Sequence, residues 1–242
     1  MGDAEGRSLA VLTGAGISAE SGIATFRGMG GLWEKVPIEE VATPWGFAKD
    51  PRRVWGFYEA RRRQAAACSP NAGHRALARL EEALGPDRFT LATQNVDGLH
   101  ALAGSRNLLE IHGSLWRVRC TRCGEEREDR RVPLPELPPH CPACGAMLRP
   151  AVVWFGEVLP EGVFGRALAA AESSALFLVV GTSAQVEPAA SLARIAARNG
   201  AALWEVNPEE TPLTPLCHRS WRSEAGAVLE AVAAEALAFL GP

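Results

Sequence analysis

Two Cys-x-x-Cys pairs, Cys120 with Cys123 and Cys141 with Cys144, stand seventeen residues apart, and each is followed by a glycine. A pair of thiolates closing a tight turn supplies half of a tetrahedral S4 site, so the four together read as a zinc ribbon. Four protein ligands fill the zinc shell and leave no position for water or substrate, which makes the metal structural. The other reading, four reduced thiols, has to account for two glycine-backed pairs in a proline-rich stretch with little core of its own. His112, in "IHGS", precedes the first cysteine by eight positions, and the metal does not need it. A neutral imidazole with an ordinary pKa near 6.5 suits proton transfer at neutral pH. Taken alone, a histidine before two small residues is more often a loop or core histidine.

Three more polar loops carry ligand-binding chemistry. "TGAGISAESGIATFRG" follows an apolar run and offers Gly14 and Gly16, where a backbone without Cβ can approach a pyrophosphate. The third glycine of the dinucleotide fingerprint is missing, and no strand supplies the acidic residue expected about 20 positions later. Hydride transfer is therefore disfavoured, and the loop alone leaves nucleotide binding open. "TQNVDGLH" presents Gln94, Asn95 and Asp97, and "GTSAQVEP" presents Gly181, Thr182 and Ser183.

These loops need elements to position them. Apolar runs at 9–16, 89–98, 108–114, 151–157, 175–183 and 201–207 each open into such a loop, and near-continuous apolar strands predict a parallel sheet buried on both faces. Helical patterns lie between, as in "HRALARLEEALG", "PAASLARIAARNG" and the last "AGAVLEAVAAEALAFL". This is the grammar of an α/β fold, a Rossmann-like parallel sheet with helices on both faces, whose ligands bind at the carboxyl ends of the strands. Two segments break the rhythm and predict a smaller zinc-ribbon and helical domain at about 31–71 and 115–150, leaving about 1–30, 72–114 and 151–242 to the large domain.

Bulk properties exclude other classes. At 242 residues, 47% hydrophobic, the chain can bury a large core, and a net charge of −3 gives no push toward nucleic acid or an anionic membrane. The ribbon segment "CGEEREDRRVPLPELPP" mixes signs and lacks aromatics, against direct nucleic-acid binding. No stretch approaches the roughly 20 apolar residues of a membrane span, and the acidic N-terminus is unlike a signal peptide. A cytoplasmic address with reduced thiols is expected.

Read jointly, "GAGISAESGIATFRG", "TQNVDGLH", "IHGS", the four cysteines, "VVWFGE", "GTSAQVEP" and "VNPE" resemble the sirtuins in order and approximate spacing, from Leu9 to the last helix. The resemblance implies an NAD-dependent protein deacylase, with NAD consumed as co-substrate and one structural zinc per chain. It places Gly14, Ala15, Gly16, Ile17 and Ala24 around the NAD diphosphate and Phe26 and Arg27 in a cofactor loop. Gln94, Asn95 and Asp97 would meet nicotinamide and its ribose, with Asn95 and Asp97 counted as catalytic beside His112. Gly181, Thr182, Ser183, Asn207 and Ala225 would hold the adenosine half, although "SEA" before Ala225 departs from the family pattern. Val153, Trp154, Phe155, Gly156, Glu157 and Val186 would wall a groove in which a substrate peptide pairs as a strand. In the implied reaction the acyl oxygen displaces nicotinamide at C1′, and His112 then takes the proton of an attacking ribose hydroxyl. The products are nicotinamide, 2′-O-acyl-ADP-ribose and free lysine. The rival on the same scaffold is mono-ADP-ribosyl transfer, which shares C1′ activation and differs in the acceptor.

One further pair stands out. "WGFYEARRRQ" puts Tyr58, the only tyrosine, and Arg61 at i and i+3 on one side of a helix. The pair is similar to that of the sirtuin subclass that removes succinyl, malonyl and glutaryl groups, and Ala42 is small, as in that subclass. A guanidinium fork and a phenol suit a distal carboxylate; otherwise the pair is a coincidence on a solvated arginine-rich face.

Overall fold

The computed structural model describes residues 7–25 and 36–241. The chain lays down β1 (Leu9–Thr13), β2 (Phe89–Thr93) and β3 (Leu108–Glu110), then leaves for β4 (Gly113–Cys120), β5 (Glu126–Glu128) and β6 (Leu148–Val152). It returns with β7 (Leu176–Val180), β8 (Ala202–Val206) and β9 (Arg219–Trp221). The first and last groups form one parallel sheet ordered β3-β2-β1-β7-β8-β9, and β5-β4-β6 form a separate antiparallel sheet. The strand order reverses between β1 and β7, the switch point at which doubly wound folds bind ligands.

Among the described residues the helices are α1 (Gly16–Ala19), α2 (Ile38–Val41), α3 (Pro44–Lys49), α4 (Pro51–Ala66), α5 (Ala72–Leu84), α6 (Leu99–Ala103), α7 (Glu161–Ser173), α8 (Ser191–Arg198) and α9 (Ala225–Leu240). Successive strand side chains point to opposite faces. Leu9 and Val11 of β1 accordingly pack with Leu77 and Leu229, while Ala10 and Leu12 pack with Phe177 and Leu192. A separate core joins α4 to the antiparallel sheet through Val54, Trp55, Leu115, Val118 and Trp154. At the start of α4, Asp50 accepts the Arg53 N–H at 2.9 Å and Pro51 opens the first turn, a cap worth about 1 kcal/mol.

Two strand expectations are corrected. The run at 151–157 joins not the parallel sheet but the end of β6, paired antiparallel to β4. Apolarity says nothing of strand direction, and here Val152 and Trp154 pack into the α4 core while Phe155 is exposed. The run at 108–114 splits: β3 ends at Glu110 and β4 begins at Gly113. Gly113 has φ +79°, and a Cβ there would lie 2.1 Å from the Ala151 carbonyl oxygen, so only glycine lets the chain swing from one sheet to the other at His112. The short edge strand β9, "RSW", lacks an apolar pattern and went unread. No described helix is long and apolar enough to cross a membrane.

Candidate active site

A cleft of about 910 Å³ opens over the carboxyl ends of β1, β2, β7 and β8 and reaches α4 and the turn after β6. The loops after β1 and β7 meet at its floor. Gly16 N–H donates to the Gly181 carbonyl at 2.7 Å, Gly14 N–H to that of Val180 at 3.0 Å. Gly181 has φ +59°, and a Cβ there would lie 2.5 Å from the Ile17 nitrogen. The glycines thus let two loops interlock, beyond any approach they give a phosphate. Gln94 ties in the β2 loop by donating to Thr182 Oγ1 at 2.9 Å.

His112 sits half-buried on the cleft wall, its Nδ1 3.1 Å from the Gln94 carbonyl oxygen. A carbonyl only accepts, so Nδ1 carries the proton and Nε2 holds a lone pair. Burial lowers the imidazole pKa below 6.5, with the bond to Gln94 acting the other way. Asn95 Nδ2 donates to the Gly14 carbonyl at 3.0 Å and to Ser18 Oγ at 3.1 Å. Ser18 in turn donates to Asp97 Oδ2 at 2.8 Å. Burial raises the Asp97 pKa, against its bonds from the Leu99 N–H and Ser18.

At the other end, Ala42, Phe57, Tyr58 and Arg61 line the cleft. Tyr58 and Arg61 are buried, and Trp154 Nε1 donates to the Tyr58 hydroxyl at 2.9 Å. Arg61 Nη1 donates to Gln64 Oε1 at 3.0 Å; desolvation lowers its pKa, with Asp97 the strongest opposing charge. The run Arg61-Arg62-Arg63 is therefore not a solvated face. Arg62, 1% exposed, donates to the carbonyls of Leu115, Asp129 and Arg131, and only Arg63 is solvated. Six glutamates, Glu20, Glu157, Glu187, Glu209, Glu210 and Glu224, also line the cleft, and Arg61 is the only arginine or lysine among its described lining residues.

The four cysteine sulfurs lie within 4.8 Å of one another, with Cys120 to Cys144 at 3.4 Å and Cys123 to Cys141 at 3.8 Å. Tetrahedral zinc at 2.3 Å from each sulfur needs about 3.8 Å between sulfurs, so the set fits the ion. His140 stands aside, paired with Glu136 at 3.2 Å.

Residues 14–188 match the model of the Sir2 family. The chain is 50% identical over 228 residues to an NAD-dependent protein deacylase of Aquifex aeolicus, covering 94% of this chain and 95% of that one. It is 55% identical over 226 residues to one of Thermus thermophilus, covering 91% and 87%. The chain belongs to the Sir2 family. A solved Sir2 homologue in complex with NAD superposes with a TM-score of 0.89 at 48% identity, covering 98% of this chain and 92% of that chain. A Sir2–p53 peptide–NAD+ complex gives 0.81 at 30% identity, covering 96% and 94%.

Within this Sir2 fold the cleft brings together Gly14, Ala15, Gly16, Gln94, Asn95, His112, Gly181, Thr182, Ser183 and Asn207. Val153, Trp154, Phe155, Gly156, Glu157 and Val186 line it too. Asp97 lies behind Asn95, lining a small adjoining pocket with Arg61. Three assigned residues are not on the wall: Ile17 is in the core, Ala24 is exposed beside the lining Thr25, and Ala225 is buried in the first turn of α9. Phe26 and Arg27 lie outside the described residues. Sequence reasoning missed Ser18, inside a motif already singled out, and His74 and His100. The two imidazoles meet at a tilt with centroids 4.8 Å apart, with His74 Nε2 3.4 Å from Ser18 Oγ and His100 Nε2 2.9 Å from Thr13 Oγ1. His100 closes the quoted "TQNVDGLH", and His74 opens the helical pattern "HRALARLEEALG".

Proposed function

We propose that this protein is an NAD-dependent protein-lysine deacylase that prefers acidic acyl groups, succinyl and malonyl, and also removes acetyl. The observation that carries the preference is that buried Tyr58 and Arg61 line the same cleft, with Arg61 the only arginine or lysine among its described lining residues. A buried guanidinium stays charged at neutral pH and offers a carboxylate a bidentate fork. Ala42, a small residue, leaves room beside it.

NAD, when bound, supplies a ribose C1′ with a good leaving group. The chain's part is to hold and orient. The interlocked loops at Gly14, Gly16 and Gly181 form the floor, and Gln94, Asn95 and Asp97 are braced through Thr182, Gly14 and Ser18. His112, with its proton fixed on Nδ1 by the Gln94 carbonyl, has Nε2 ready to accept a ribose hydroxyl proton. Cys120, Cys123, Cys141 and Cys144 would hold the zinc, which crosslinks the antiparallel sheet and takes no part in the chemistry. Protein acyl-lysine side chains are the partners, the groove beside residues 153–157 and Val186 receiving the flanking backbone.

An acyl-peptide panel incubated with and without NAD, read by mass spectrometry, tests this reading. Free lysine and acyl-ADP-ribose formed one for one with nicotinamide are expected. Deacylation at full rate without NAD, or ADP-ribose attached to protein in place of freed lysine, would overturn it.

A further inference from the structure

Tyr58 is buried, and its hydroxyl accepts the Trp154 indole N–H at 2.9 Å. That bond occupies one lone pair and leaves the phenol's own proton, which is donated to no other described residue. Burial also raises the phenol's pKa beyond the usual tyrosine range, so the proton stays on. A buried O–H that already accepts from the indole keeps its proton to donate to whatever occupies the cleft beside it.

The indole is itself clamped. The Arg149 guanidinium lies 3.4 Å from the centroid of the Trp154 ring and pairs with Glu157, Nη1 to Oε1 at 2.5 Å and Nη2 to Oε2 at 2.9 Å. The same carboxylate accepts the Trp154 backbone N–H at 2.9 Å, and Arg149 Nη2 also donates to the Val152 carbonyl at 3.0 Å. Glu157, Arg149, Trp154 and Tyr58 thus form one ladder running from β6 into the cleft.

We propose that Arg149 and Trp154 are positioning residues that fix the Tyr58 hydroxyl as a hydrogen-bond donor to the distal carboxylate of a bound acidic acyl group. Arg149 never meets the substrate; it acts by holding the indole face. A planar guanidinium is needed for that, because an ammonium would keep the charge opposite Glu157 but lose the stacking. The inference rests on the acidic-acyl reading above, which supplies the acceptor.

The test is the ratio of kcat/KM for succinyl-lysine to that for acetyl-lysine in the same peptide, measured with NAD in the wild type, Tyr58→Phe, Trp154→Phe and the double variant. Using the ratio cancels any general damage to the groove. Trp154→Phe keeps an aromatic face while removing the N–H together with the pyrrole ring, and it should lower the ratio about threefold to tenfold. In the Tyr58→Phe background it should lower it no further, because there is no phenol left to orient. Arg149→Lys should lower the ratio in the same sense, and it decides the matter if Trp154→Phe does not fold. A fall of equal size with and without Tyr58 would make Trp154 a wall of the groove and overturn the proposal. So would an unchanged ratio in Trp154→Phe or, where that variant does not fold, in Arg149→Lys. A wild-type ratio near one would instead overturn the acidic-acyl reading, and with it the acceptor this proposal needs.

Discussion

His112, the proposed base, is oriented by one hydrogen bond and has its pKa lowered by burial. Because Gln94 can only accept from Nδ1, replacing the ring removes a proton acceptor of fixed orientation while disturbing little packing. His112→Ala is expected to keep fold and zinc content and to lower turnover roughly 10²–10⁴-fold; near-normal turnover in the folded variant would remove His112 from the chemistry. The sign of the pH dependence follows from the lowered pKa. The base must be neutral, so kcat should hold as pH falls toward 6.5 and decline only below it. A kcat profile with its acidic inflection above pH 7 would contradict this. His112 was readable from "IHGS" only in company with the loops around it. The Gln94 carbonyl that fixes its tautomer was not readable, because a backbone acceptor leaves no mark on residue type.

Among the elements, β4 does the most joining. It begins one residue after His112 and ends on Cys120, and it pairs with β6, which carries Arg149. A zinc ion at the cysteines would therefore hold the end of β4 where it pairs with Leu148 and Arg149 of β6. About one zinc per chain is expected by metal assay. Cys141→Ser or chelation should lower the melting temperature and expose the amides of β4 and β6 to exchange, with activity falling in parallel as the sheet loosens. A zinc-free chain with unchanged melting and activity would contradict a structural metal. The four-cysteine spacing made this unit legible in outline. The antiparallel placement of β6 was not legible, since "AVVWFGE" is as apolar as the parallel strands although Phe155 is exposed on the cleft wall.

In the whole molecule, desolvation disfavours the charged forms of three histidines: buried His74, whose pKa is lowered to about 4, buried His100 and half-buried His112. The unfolded chain takes up these protons near pH 6.5 and the folded chain does not, so their contribution to stability is present above 6.5 and is lost as pH falls toward 4. His74 alone should account for about 2 kcal/mol between pH 7 and pH 5, or roughly 4–8 °C in melting temperature. The slope should flatten in His74→Gln, and a melting temperature independent of pH over that interval would contradict it. The doubly wound plan was open to sequence reasoning because β1, β2, β7 and β8 are short apolar runs ending in polar loops. The edge strand β9, and the burial of Arg62 beneath Leu115, Asp129 and Arg131, depend on long-range partners that no local pattern displays.

In the proposed reaction the Arg61 guanidinium would read the far end of the acyl chain. The most direct measurement is kcat/KM for succinyl-lysine and acetyl-lysine peptides, with NAD, in the wild type and in Arg61→Met. Hydrogen bonds to charged groups contribute about 1.5–3 kcal/mol, so the wild type should prefer succinyl by about one to two orders of magnitude. Arg61→Met should abolish that preference, with Tyr58→Phe acting in the same direction but more weakly. Equal loss of both activities in Arg61→Met, with the preference intact or absent from the start, would contradict the account and leave Arg61 a structural residue of a general deacetylase.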